Sequence, residues 1–112
     1  MRTRIRNASR NDRKLAQLCA QIQEVLSFAL GDSSDDRLHD LVVHSVTPAP
    51  DGARLLVTVM ATNESDMSSL EETHGALESA RPWLRRQVAA EISRKRTPDL
   101  AFCVLPHWDG EP

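Results

Sequence analysis

Six cations crowd one short stretch of the chain, SARPWLRRQVAAEISRKRTPDL over residues 79–100: Arg81, Arg85, Arg86, Arg94, Lys95 and Arg96. Guanidinium and ammonium groups gathered this way recognise phosphates, Arg through a planar fork and Lys as a point charge. A second basic set, Arg2, Arg4, Arg6, Arg10, Arg13 and Lys14, opens the chain. Local electrostatics explains part of the first set, because Arg94, Lys95 and Arg96 fall at the C-terminal end of a helical pattern, where cations complement the dipole. Arg81, Arg85 and Arg86 crowd the start of that pattern, where the dipole opposes them. An external anion is therefore expected for this trio, with the free amides of a helix N-terminus at Pro82 to assist.

The other reactive residue types do not assemble into a site. His39, His44, His74 and His107 are scattered without metal-ligand spacing, and His74 reads as the edge of a core stripe. Asp35-Asp36 and Glu71-Glu72 fall in a loop and a first helical turn, where capping accounts for them. The expected strands hold no carboxylates to converge on a metal, and neither a nucleophile elbow nor a phosphate-cradling glycine loop is present. Cys19 and Cys103 lie far apart and read as free thiols. The expectation is a protein without catalytic residues, metal, cofactor or small-molecule substrate.

These groups need a scaffold, and 112 residues with 40% hydrophobic content suit one small domain. The net charge of −2 conceals a segregated pattern of +5 over residues 1–14, −9 over 15–80, +5 over 81–98 and −3 over the last fourteen. Two concentrated basic blocks can present a cationic face on an acidic protein. Aromatic platforms are few: no Tyr, and only Phe28, Phe102, Trp83 and Trp108. Contact with an RNA backbone is thus a better fit than stacking on splayed bases. No apolar run approaches the ~20 residues of a membrane span, and the opening MRTRIRNASRNDRK has no apolar signal core, so a cytoplasmic location is expected. A monomer is expected as well.

Residues 1–10 read as a flexible basic arm, 11–106 as the folded domain and 107–112 as a short tail. Asn11 can cap a helix from about Asp12 to Leu30, with Leu15, Leu18, Cys19, Ile22, Val25, Leu26 and Ala29 on one face. LVVHSV (41–46) and RLLVTVMAT (54–62) read as strands joined by TPAPDGA, with the second strand central and covered in part on both faces. SSLEETHGALESA (68–80) reads as a helix opened by a capping box, Ser68 with Glu71 or Ser69 with Glu72. Pro82 is costly inside a helix and harmless at its first position, which predicts two helices meeting at Ala80-Arg81-Pro82, the second running to about Lys95. LAFCVL (100–105) supplies the last strand. A three-stranded sheet with helices mainly on one face buries these stripes.

These pieces, in this order, resemble the ribosome-binding factor A family over about residues 13–105. The resemblance rests on RKLAQLCAQIQEVLSFAL, DDRL (35–38), VTPAPDGARLLVTV with its turn Asp51, and ALESARPWLRRQVAAEISRKRTPDLAF. It implies an α+β, KH-like (type II-like) single domain of order α-β-β-α-kink-α-β. It also implies a factor that binds the immature small ribosomal subunit and its rRNA near the neck. Such a factor assists late maturation and 5′-end processing without being a nuclease, leaves before translation, and is often needed for growth in the cold. Three features depart from the family pattern. Ala80-Arg81-Pro82 replaces its Ala-x-Gly kink, the Gly-x-x-Gly loop of a KH domain proper is absent, and Gln21 and Gln23 occupy a region where relatives are often basic. The residues also support a rival reading, an α+β regulatory or protein-interaction module whose acidic central segment takes a basic partner.

Overall fold

Leu55, Val57 and Val59 alternate with Leu56, Thr58 and Met60, so residues 54–61 form a strand with two unlike faces. A computed structural model describes residues 2–61 and 67–106, with side chains for 13–61 and 70–106. The elements are α1 (Arg2–Asp32), a 3-10 turn (Asp36–Leu38), β1 (Leu41–Pro48), β2 (Arg54–Ala61), α2 (Met67–Glu91) and β3 (Asp99–Leu105). β2 is the central strand of a sheet ordered β1-β2-β3, antiparallel to β1 and parallel to β3. A parallel pair needs a crossover, and α2 is that crossover. The result is the KH-like α+β domain, with both helices on one face of the sheet.

Burial follows the alternation. Leu55, Val57 and Val59 of β2, with Leu100 and Phe102 of β3, pack against Ile22 and Leu26 of α1 and Leu77, Leu84 and Val88 of α2. Each such side chain contributes about 1.5–3 kcal/mol on leaving water. Val43 and Val46 of β1 both face this core although they stand three positions apart, an odd spacing that simple alternation would send to opposite faces. A bulge at His44 makes that possible: Val43 pairs with Val59, and Ser45 then pairs with Thr58. The opposite face carries Leu56, Thr58 and Met60 beside Ala101, Cys103 and Leu105, all half-buried, and no described element covers it. The expected cover on both faces is thus corrected to one.

The loop carrying DDRL is pinned locally. Asp35 caps the 3-10 turn by accepting from the Arg37 backbone N–H, and its carboxylate also takes the Arg37 guanidinium at 2.8 Å. These bonds, the side-chain one foremost, hold the Asp35 carboxyl below its usual range. Leu38 is thereby turned fully into the core. Cys19 is buried, and burial pushes its thiol pKa up, as befits an unreactive core group.

Both helices depart from the sequence expectation at their ends. α1 begins at Arg2, so the backbone of the expected flexible arm is helical and Asn11 lies within the helix rather than capping it. Residues 2–30 contain neither Pro nor Gly, and Arg is a good helix former, so nothing local stops the helix at Asp12. The capping box at Ser68 and Ser69 lies outside the described side chains. α2 is one helix with Pro82 inside it, not two helices meeting there. Leu77 and Leu84 are both fully buried on either side of the proline, and that packing outweighs its local cost.

Pro82 has no N–H for the carbonyl of Glu78, and it sits on the exposed side of α2. Pro82→Ala is therefore expected to raise the free energy of unfolding by about 1–3 kcal/mol in urea titration, with unchanged helix content. A destabilised variant would show that the ring itself supports the native course of α2.

Candidate nucleic-acid interface

Parallel strands begin at the same end of a sheet, so the approach to β3 must pass the turn that leads into β2. The backbone records this: the Asp99 N–H donates to the Ala53 carbonyl at 3.0 Å. α2 ends at Glu91, earlier than the expected Lys95, because residues 92–98 are needed to bring the chain to that end. Arg94, Lys95 and Arg96 therefore belong to a connection rather than to a helix terminus, and the helix dipole does not explain them. All three are exposed.

The connection meets two other parts of the chain around Gly52. The β1–β2 turn is built by Asp51, whose carboxylate accepts from the Ala53 N–H at 2.9 Å, and by the Arg54 N–H donating to the Asp51 carbonyl at 3.2 Å. Arg94 Nη1 donates to the Gly52 carbonyl at 3.4 Å. A β-carbon on Gly52 would stand 3.3 Å from Leu15 Cδ1 of α1, so glycine serves close approach here, with no left-handed backbone involved. Lys14 and Gln21 of α1 line one recess with Gly52 and Arg94. Arg85 and Arg96 line a second recess that shares Gly52 and Arg94. Two carboxylates lie there too, but Asp51 is occupied by the turn and Asp99 faces Arg85.

The trio Arg81, Arg85 and Arg86 is not brought together on one anion site. Arg85 is half-buried; its Nε donates to the Pro98 carbonyl at 3.3 Å and its Nη2 to the Thr97 carbonyl at 3.0 Å, with Asp99 Oδ1 3.5 Å away. It latches α2 to the start of β3. Arg81 pairs with Glu78 at 3.1 Å one turn back along the helix, and Arg86 projects into solvent. Because α2 does not begin at Pro82, neither the opposing dipole nor the free amides expected at that point exist. Arg13 and Lys95 are exposed and line neither recess. The side chains of Arg2, Arg4, Arg6 and Arg10 lie outside the described residues.

The two glutamines of α1 divide their roles. Gln23 Nε2 donates to the Val43 carbonyl at 3.2 Å and ties α1 to β1, whereas Gln21 is exposed beside Lys14. Sequence reading does not place Gly52 or Arg54 at this end of the domain; the parallel register that pairs Arg54 with Asp99 does so. His74 is more exposed than expected, with Nε2 3.2 Å from the Phe102 carbonyl and 3.8 Å from Glu78. No cluster of metal-ligating residues occurs among the described residues, and none of their helices is long and apolar enough to cross a membrane.

Fold and surface together define a small KH-like domain with an exposed, largely cationic end where α1, the β1–β2 turn and the α2–β3 connection meet. The ribosome-binding factor A family model matches residues 13–104, and the chain belongs to that family. Curated relatives named ribosome-binding factor A include one from Lachnoclostridium phytofermentans, 28% identical over 99 residues, covering 88% of this chain and 70% of the relative. Another, from Caldicellulosiruptor bescii, is 29% identical over 92 residues, covering 82% of this chain and 55% of the relative. The crystal structure of ribosome-binding factor A from Thermus thermophilus is similar with a TM-score of 0.68 and 31% identity, over 80% of this chain and 94% of that one. Coordinates of a homology model of the Thermus thermophilus factor, as fitted into the cryo-EM map of a 30S complex, give a TM-score of 0.63 and 30% identity, over 87% of this chain and 99% of that one.

Arg85→Ala removes the donors to two backbone carbonyls at the helix–strand junction. Its expected effect is a loss of about 1–2 kcal/mol in chemical denaturation. Unchanged stability would free Arg85 for an external ligand.

Proposed function

We propose that the protein is a ribosome-biogenesis factor that binds the immature small ribosomal subunit through its rRNA backbone and acts without catalysis. Its role in this reading is to assist late maturation and 5′-end processing of small-subunit rRNA, in the cytoplasm, as a monomer, with growth in the cold as a setting that demands it. Membership of the ribosome-binding factor A family supports the reading, as does likeness to a protein fitted into a 30S complex. The observation that carries it is the convergence of Lys14, Arg94 and Arg96 from separate parts of the chain around Gly52.

The chemistry suits a phosphate backbone. The cations are exposed, and the bond from Arg94 to the Gly52 carbonyl is long, so a phosphate can replace it at small cost. Arg85 holds the connection in place from behind, which keeps the ordering cost of Arg94 and Arg96 low on binding. Arg13 is exposed on α1, and Arg2, Arg4, Arg6 and Arg10 add to the positive charge of the chain's opening in this reading. Arg81, Arg86 and Lys95 are peripheral to it, and their exposed positions make them long-range attractors rather than contacts.

The triple variant Lys14→Glu, Arg94→Glu, Arg96→Glu is expected to lose co-sedimentation with purified small subunits while keeping a native circular dichroism spectrum. Each phosphate contact contributes about −0.9 to the log–log salt slope on a duplex, so the residual slope should be shallower by about 2–3. Undiminished binding would remove this end of the sheet from the RNA face. Loss of the protein in cells should leave small-subunit rRNA with an unprocessed 5′ end, read by primer extension, and fully mature ends would remove the processing role.

A further inference from the structure

Between them, α1 and α2 leave a groove whose wall is Phe28. That ring is 73% exposed, the largest exposure among the large hydrophobic side chains described. Half-buried Val25 and buried Ala29 make the floor, and Glu24, Asp32 and Glu91 make the rim. Glu24, Phe28 and Asp32 follow one another at intervals of four, so the ring stands between two carboxylates on one helix face. All three carboxylates are exposed, and none joins an ion pair among the described residues.

Neither half of this surface is explained by the core or by RNA contact. A phenyl ring held in water beside an apolar floor is a contact feature when it has a groove to close, because aromatic anchors dominate protein interfaces. Three carboxylates around it repel phosphates and attract Lys and Arg. The groove encloses about 330 Å³, at the small end of ligand-site volumes, and is suited to one or two inserted side chains rather than a whole ligand. We propose that the α1–α2 groove docks a basic segment of a partner protein, which inserts an apolar side chain beside Phe28 and sets Lys or Arg against Glu24, Asp32 and Glu91. The site shares no residue with the phosphate-binding end, and its test needs no ribosome, so either reading can fail alone.

The probe is a fluorescein-labelled Lys/Leu peptide with leucines at helical spacing, titrated by anisotropy against the full chain. Phe28→Ala keeps the charge constant and is expected to weaken binding by at least about tenfold. The pair Glu24→Lys, Asp32→Lys should weaken it comparably. Glu71→Lys changes charge sixteen residues before Gln87 on α2 and should change affinity by less than about twofold. Circular dichroism verifies folding, and exposure of all four positions keeps the core intact. Affinity indifferent to Phe28→Ala would overturn the proposal, as would equal losses from Glu71→Lys and the groove pair. Sedimentation of the chain alone supplies the last arm: a dimer dissolved by Phe28→Ala would assign the groove to a second copy instead, whereas a monomer supports the partner segment.

Discussion

The parallel pairing of β2 with β3 is the constraint from which the rest of the molecule follows. It forces the chain to cross the sheet and return, and α2 does the crossing with Leu77, Leu84 and Val88 turned down onto the strands. It also forces the return to end beside the start of β2, where the Asp99–Ala53 backbone bond closes the register. The β1–β2 turn, the α2–β3 connection and the Leu15 side of α1 then have one place to meet. Cations distributed over separate stretches of sequence become neighbours there without any direct attraction between them.

Opposite charges gather in adjacent patches that share no residue. The end around Gly52 carries Lys14, Arg94 and Arg96, while the groove between the helices carries Glu24, Asp32 and Glu91. A net charge of −2 thus conceals a local patch of each sign. The RNA-binding and partner-docking proposals therefore rest on different residues of one domain.

Much of the scaffold was legible in the sequence because it rests on periodicity. The strand at residues 54–61 and the core face of the first helix both follow from spacing alone. The site was less legible, for identifiable reasons. Pro82 signals a break in local terms, yet burial of Leu77 and Leu84 on both sides carries the helix through it. Once that break is gone, the expected helix N-terminus disappears, and Arg85 is found satisfying carbonyls of Thr97 and Pro98. No local pattern shows which arginine is a latch and which is free, since that depends on the strand register. Gly52 has the local signature of a turn residue, and only the fold makes it the point where α1 and Arg94 approach the backbone.

The decisive measurement is an amide-shift map of the isotopically labelled protein titrated with a short RNA duplex at two salt concentrations. The largest shifts should fall on Lys14, Gly52, Arg94 and Arg96, and they should fade together as salt rises. Shifts concentrated on Arg81 and Arg86, or on the uncovered face of Leu56 and Met60, would contradict the assignment of the cationic corner as the RNA-binding surface.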